Sequence, residues 1–185
     1  DQGLVLTIGY LIVEAEAIEV EGRRGSLPAD FVAYDANTGF GLLRARGLLG
    51  ARPLPLGDSS SMEVGDGLHV AGFGRPALEV RLIQRGQFVG TWEYLLEEAL
   101  YAAPAFPEFG GAALIHDGRL VGVGSILPSF ILPGVGRLPC NMFVPVNLLK
   151  PILAEMVRAG RSGLPARPWL GLNTEETEGR VVVTQ

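Results

Sequence analysis

The chain has 185 residues, a length that fits one large domain or two small ones. Apolar residues make up 48% of it, so a full hydrophobic core can be built. The net charge of −5 supplies no clustered basic face of the kind that binds DNA or RNA, so nucleic acid is not an expected partner.

Few residues are available for metal binding or covalent chemistry. The single cysteine, Cys140, cannot form an intramolecular disulfide, and two histidines are too few for a zinc site, so we expect no metal. The only lysine, Lys150, lies in a helix-like segment and is expected to be solvated. No apolar run reaches the roughly 18 residues of a membrane span. We also expect no cofactor.

The chain begins with DQGLVLT, a sequence typical of the inside of a domain. No signal peptide is visible in it. We therefore expect further residues before Asp1, among which an export signal remains an open alternative.

Short apolar runs separated by Gly and Pro then follow one another. They are LVLTIGYLIV, AIEVEG, ADFVAYD, FGLLRA, GLHVAGFG, VRLIQRGQFVG, AALIHDG, RLVGVGSIL and NMFVPVN. Most are about 4 to 8 residues long and rich in Val, Ile, Leu and Phe, which is typical of a β-sandwich or β-barrel. The sequence therefore predicts an all-β fold.

The hydrophobic period changes after Asn147. In VNLLKPILAEMVRAG the apolar residues recur at helical spacing on one face. Asn147 is the predicted N-cap, Pro151 lies near the first turn, and Gly160 is the predicted end. RSGLPARP is typical of a linker, and WLGLNTEETEGRVVVTQ predicts two strands around a polar turn.

The order of these segments resembles the HtrA/Deg type of trypsin-like serine proteases. DQGLVLT is similar to the family's strand ending in I-L-T, and ADFVAYDANTGFGLLRA to the segment that carries T-D-L-A. LPLGDSSSMEVGDGLHVAGFG resembles the link between the two barrels together with the first strand of the second. MFVPVNLLKPILAEMVRAG resembles the closing strand and C-terminal helix, and RPWLGL the start of a PDZ domain.

The resemblance implies two trypsin-like six-stranded β-barrels, the first truncated at its N-terminus, followed by a C-terminal helix. The implied boundaries are 1–56 for the first barrel, 57–146 for the second, 147–160 for the helix, 161–168 for a linker and 169–185 for the beginning of a PDZ-like domain. It also implies a bacterial periplasmic or envelope location. A homo-oligomer such as a trimer is an open alternative.

The positions where the resemblance implies a Ser-His-Asp triad carry residues without that chemistry. The histidine position is Tyr10, the aspartate position is Gly39, and the serine position is Phe109. A serine nucleophile needs a base to take its proton and an acid to orient that base, and none of the three is present. One implied oxyanion donor falls on Pro107, which has no N–H. We therefore expect a chain that is not an enzyme.

Other polar residues invite a catalytic interpretation that their context does not favour. GDSSS at 57–61 lacks a following Gly-Gly and fits a turn. His69 falls in an alternating strand, and His116 lies beside Asp117 in a predicted hairpin turn, where strand neighbours point to opposite faces. Cys140 has no evident histidine partner and fits a small core residue.

Three functions therefore remain open. The first is a pseudoprotease that binds or scaffolds a protein or peptide; the resemblance implies strand addition along VGVGSIL, with Gly124, Ser125 and Ile126 as candidates. The second is an active endopeptidase with relocated catalytic residues. The third is a structural or oligomerisation module that supports a PDZ domain.

Two apolar features have alternative interpretations of the same kind. Tyr10 and Phe109 either fill the vacated site as core or line a groove for a partner side chain. The apolar segment 130–139 either covers the cleft or contacts another protein.

Overall fold

The computed structural model describes residues 3–23, 25–90, 94–132, 134, 136–165, 171–172, 174–177 and 179–184. The strands are β1 (Leu4–Ile8), β2 (Glu19–Gly22), β3 (Gly25–Tyr34), β4 (Phe40–Ala45), β5 (Gly67–Ala71), β6 (Leu78–Val89), β7 (Leu95–Ala103), β8 (Ala113–His116), β9 (Arg119–Ile126), β10 (Ser129–Leu132), β11 (Gly136–Pro139), β12 (Asn141–Pro145), β13 (Thr174–Thr177) and β14 (Arg180–Val183). The α-helix is α1 (Leu153–Ala159), and 3-10 turns lie at Gly9–Leu11, Ser59–Ser61 and Val146–Leu148.

The first sheet is antiparallel and four-stranded, in the order β1-β4-β3-β2. Its inner face buries Ile8, Ala33, Phe40 and Leu42. In β4 the neighbouring Gly41 and Leu43 are buried as well, so this strand is covered on both faces. In the described residues β1 and β2 form its two edges. This sheet fits the predicted truncated first barrel.

The second sheet closes into a barrel of six strands, in the order β12-β7-β6-β5-β8-β9. Inward-facing residues of all its strands are buried, among them Leu68, Leu82, Leu100, Leu114 and Phe143. Closure gives each of these six strands a paired neighbour on both sides, so among the described residues none of them is an edge strand along its whole length. The predicted all-β fold with a six-stranded second barrel is confirmed.

The hairpin between β8 and β9 is set by its turn residues. Asp117 has φ +48° and Gly118 φ +71°, and two successive residues at positive φ form the type I′ turn that suits a tight hairpin. The predicted hairpin turn at IHDG is confirmed.

The segment 130–139, left open by the sequence, contributes to the hairpin of β10 and β11. The ring of Phe130 packs edge-on against Tyr101, with ring centroids 5.3 Å apart. Ile131 on the same strand is 76% exposed. Phe130 therefore packs the hairpin against the barrel, whereas Ile131 is presented to solvent.

The C-terminal helix begins later than predicted. Ile152, not Asn147, occupies the N-cap of α1, and no side chain caps it, so the expected N-cap was wrong. The physical reason is Pro151, because a proline disfavours α-helical dihedrals in the preceding residue. The chain therefore runs through turns until the proline has passed. The predicted end is confirmed, since Gly160 has φ +72° and donates its N–H to Met156 O at 3.0 Å.

After the helix, β13 and β14 form an antiparallel hairpin, which confirms the two predicted terminal strands. Residues 166–170 lie outside the described residues, and with them the end of the linker 161–168 and the start of the segment 169–185. A PDZ-like domain there stays a prediction. No helix among the described residues has the length and apolar character needed to cross a membrane.

Asp58 ties the link between the two sheets to the C-terminal part of the chain. Hydrogen bonds from the Ser60 hydroxyl, the Asn147 amide and the Ser60 N–H lower its pKa from 3.8 to about 2. The side chain of Asn147 thus serves this junction, and Ser59 Oγ accepts its backbone N–H at 3.1 Å. Asn147, the predicted N-cap, therefore hydrogen-bonds two segments that are distant in sequence.

The junction predicts an acid-sensitive contribution to stability. Because the folded pKa lies below the ordinary one, the Asp58 carboxylate stabilises the fold above pH 3.8 and loses that effect as pH falls through about 2. We expect the urea midpoint of Asp58→Asn to lie below that of the wild type at neutral pH, and the two midpoints to converge in acid. A gap that stays constant down to about pH 2 would contradict this assignment.

Candidate functional site

The histidine and aspartate positions are neighbours in the first sheet. Tyr10 lies in the 3-10 turn that follows β1, and Gly39 in the turn between β3 and β4. The N–H of Gly9 donates to Gly39 O at 2.7 Å, so the two turns are joined by the main chain.

The turn that holds Gly39 is fixed by a buried carboxylate. Asp35 is 3% exposed and accepts the backbone N–H of Thr38 at 2.9 Å and its hydroxyl at 2.6 Å. Gly39 donates its N–H to Asp35 O at 2.8 Å and adopts φ +80°, a conformation that suits glycine. The carboxylate of Asp35 therefore stabilises this turn through its hydrogen bonds to Thr38.

The serine position lies in a tight turn of the second barrel. Ala112 donates its N–H to Phe109 O at 2.9 Å, and Gly111 has the positive φ, +76°, that the third position of a type II turn needs. Gly111 also donates to Gly124 O at 2.8 Å, and Gly124 donates to Ala112 O at 2.7 Å. The Gly-Gly turn is therefore paired with β9.

Ser125 on β9 connects the two halves of the site. It is fully buried, its carbonyl accepts the Tyr10 hydroxyl, and its own hydroxyl is hydrogen-bonded to that of Tyr94. We call Tyr10, Tyr94 and Ser125 the hydroxyl cluster. Phe109 lies next to it, because a Cβ added to Gly124 would sit 2.2 Å from Phe109 O. The structure thus brings Tyr10, Gly39 and Phe109 to one place.

Tyr94 is the residue that sequence reasoning missed. A Cβ added to Gly39 would lie 2.1 Å from Tyr94 Cε1, so the tyrosine ring occupies the space beside residue 39. The ring is almost fully buried and packs near Phe88, with centroids 5.9 Å apart. The signal was present in YLLEEALYAA, where buried Tyr94 and Leu96 alternate, but β7 was not among the predicted strands.

The loop before Phe109 is anchored by a buried amide. Asn141 is fully buried, accepts the Phe106 N–H at 2.6 Å and donates to Phe106 O at 3.0 Å. Pro107 and Glu108 are exposed, and Glu108 pairs with Arg75 at 2.5 Å. Pro107 brings no N–H to the place where an oxyanion donor is implied.

The remaining reactive side chains lie apart from this site. His69 is exposed on β5, and His116 Nδ1 is 3.9 Å from Asp117 Oδ2 in the hairpin turn. Cys140 is buried against Pro128 O, and burial raises the pKa of its thiol to about 11, so it is neutral at pH 7. Among the described residues no cluster of His, Cys, Asp or Glu is placed to hold a metal ion.

The three candidates for strand addition differ in their exposure and in whether their main-chain groups are already hydrogen-bonded. Gly124 uses both its N–H and its carbonyl within the chain. The carbonyl of Ser125 is held by Tyr10, and the residue is fully buried. Ile126 is half-buried and pairs with Met142 of β12. Of these three residues, only Ile126 is therefore near the surface in this conformation.

Comparisons with known proteins agree with this arrangement. A family model described as trypsin-like peptidase domain matches residues 1–123. The structure is similar to that of the HtrA-type protease AlgW with a decapeptide, with a TM-score of 0.72 and 22% identity over 100% of this chain and 60% of that one. The structure of AlgW with a tripeptide gives a TM-score of 0.69 and 22% identity, over 98% and 64% of the two chains.

The chain thus spans about 60% of the length of the AlgW chain with the decapeptide. No curated protein matches it. At 22% identity, the likeness to AlgW shows the fold, which is that of an HtrA-type trypsin-like protease. With the family model matching residues 1–123 of 185, the chain belongs to the trypsin-like peptidase domain family.

Proposed function

We propose that this domain is a non-catalytic member of its family that binds an extended polypeptide at the end of β9, as a scaffold or adaptor. The observation that carries the proposal is Phe109 in the Gly-Gly turn against β9, because a phenyl ring cannot attack a carbonyl carbon. The bacterial envelope location and a PDZ domain in 169–185 belong to the same proposal.

Further losses support a non-catalytic site. Tyr10 is a poor base at neutral pH, since the ordinary pKa of tyrosine is about 10. The ring of Tyr94 fills the space in which an acid at Gly39 would stand. The absent N–H of Pro107 removes an oxyanion donor, a loss that costs on the order of 100- to 1000-fold in rate.

The binding role is supported by the pairing of β9. In the described part of the chain, the pairing of β9 on its β8 side ends where Gly124 meets Ala112. Ile126 is half-buried beyond that point and Leu127 is 38% exposed. An extended peptide can add its main chain to such an edge without any catalytic group. The AlgW structures with a decapeptide and a tripeptide concern proteins of the same fold that hold peptides.

A structural module is the second candidate function. It is favoured by the full burial of Ser125 and by the satisfied main-chain groups of Gly124. In that case the hydroxyl cluster is simply core, and the domain binds no peptide.

Fluorescein-labelled β-casein, an unfolded protein, separates these functions by its anisotropy. We expect a rise to a plateau that stays constant for hours, because the site binds but has no nucleophile. Trypsin added at the end should make the anisotropy fall, which shows that cleavage of the labelled casein would have been detected. A fall without trypsin would mean that the domain is a hydrolase, and a flat trace would favour the structural module.

Matched variants place the binding at β9. Leu127→Asp puts a charge on the proposed edge, whereas Val64→Asp does the same at a 63% exposed position outside it. We expect the first to weaken casein binding several-fold and the second to leave it unchanged. Equal effects of the two would contradict the proposed location.

A further inference from the structure

The carbonyl of Ser125 has an unusual partner for a strand carbonyl. It accepts the hydroxyl of Tyr10, a side chain that reaches it from the first sheet across 115 positions of sequence. Beyond Gly124 no strand of the described chain continues the β8 side of β9. The Tyr10 hydroxyl therefore binds the first main-chain carbonyl of β9 that follows the last residue paired on the β8 side.

Tyr10 is held less firmly than a core aromatic. Its side chain is half-buried, whereas Phe40 and Phe143 are fully buried. It lies in a 3-10 turn whose neighbours Leu11 and Val13 are 47% and 49% exposed. Short 3-10 segments with exposed neighbours are among the parts of a fold that open at low free-energy cost.

We propose that Tyr10 is an internal latch on the polypeptide site: its hydroxyl occupies the Ser125 carbonyl that an added strand needs. The proposal rests on the proposed function, since a latch has meaning only if β9 takes a peptide. An incoming strand exchanges the Tyr10 O–H for its own N–H on the same carbonyl. The resting domain is therefore closed, and the bound form has Tyr10 displaced.

The latch lowers the apparent affinity by the fraction of molecules in which it is open. A hydrogen bond between neutral groups contributes a net factor of about 2 to 12 in an equilibrium constant. Removing the hydroxyl of Tyr10 should raise the affinity for an extended polypeptide by about the same factor.

Tyr10→Phe tests the latch, because it removes the hydroxyl and keeps the ring. Tyr101→Phe is the matched control, since the Tyr101 hydroxyl donates to Gln87 O at 3.4 Å within the second barrel. The probe is fluorescein-labelled β-casein, with anisotropy as the binding readout. The second readout is the carbonyl ¹³C shift of Ser125, observed by NMR through the amide of Ile126.

The expected result is casein binding about 2- to 12-fold tighter for Tyr10→Phe than for wild type, with Tyr101→Phe unchanged. The Ser125 carbonyl shift should move in free Tyr10→Phe and return toward its wild-type value when casein binds. Binding by Tyr10→Phe alone would also support the latch, because a flat trace of the wild type would then come from a closed site and not from a structural module.

Two outcomes would overturn the latch and are distinct from each other. If wild type and Tyr10→Phe bind casein equally, the latch is wrong and the proposed function stands. If neither binds and the Ser125 carbonyl shift is unchanged by casein, the latch and the polypeptide-binding function fail together, and the structural module remains.

Discussion

Gly39→Asp is expected to lower the free energy of unfolding by about 2 to 5 kcal/mol, although it restores the residue that the family's triad would have. The new Cβ would lie 2.1 Å from the ring of Tyr94, and the backbone at φ +80° disfavours any side chain. Overpacking and left-handed strain therefore add. Urea unfolding followed by tryptophan fluorescence measures the loss.

Gly74→Asp is the matched control for that experiment. Gly74 has φ +72°, and nothing lies within 4 Å of an added Cβ, so only the backbone strain of about 1 to 2 kcal/mol should remain. Equal losses in the two variants would mean that the tyrosine ring gives way, and the steric argument at Gly39 would be wrong.

The same clash predicts the outcome of rebuilding the triad. A variant with Tyr10→His, Gly39→Asp and Phe109→Ser should remain inactive on casein, because the Tyr94 ring still blocks the acid. Pro107 still withholds an oxyanion donor. Adding Tyr94→Ala to this variant removes the ring that clashes with the new side chain at position 39. We expect that addition to relieve the steric part of the stability loss caused by Gly39→Asp. Casein hydrolysis by the triple variant itself would contradict the interpretation of the cleft as filled.

Asn141→Ala is the second change expected to have a large effect, with a loss of about 2 to 5 kcal/mol in the free energy of unfolding. The amide of Asn141 satisfies both the N–H and the carbonyl of Phe106 in a fully buried position. Its removal leaves two buried main-chain groups without partners. Because this pair anchors the loop before Phe109, amide exchange should accelerate in residues 105–112 before the barrel opens.

Asn147→Ala provides the comparison, since it removes an amide with a similar number of hydrogen bonds in a half-buried place. Water can reach Ser59 and Asp58 more easily there, so we expect a loss of less than about 1.5 kcal/mol. If the two variants lost the same stability, burial would not be the cause, and the role given to Asn141 would have to be abandoned.

Local chemistry explains why parts of the fold were predictable. The Asp-Gly pair at 117–118 favours its type I′ turn whatever surrounds it, and Gly160 ends the helix through its own dihedral freedom. The side chain of Phe109 likewise carries no nucleophilic group, whatever surrounds it. The helical period alone does not predict where the helix starts, because Pro151 disfavours helical dihedrals in the residue before it.

What the sequence by itself determined is the all-β architecture, the hairpin turn at 117–118 and the glycine that ends the helix, because each follows from residues that are near one another in the chain. The tertiary structure alone decided what fills the site. Tyr94 lies 31 residues from Ser125 and Tyr10 lies 115 residues from it, and such contacts depend on the folding of the barrel and on the packing of the two sheets. Hydrophobic periodicity records which face of a strand is buried, but not which distant side chain will meet it there.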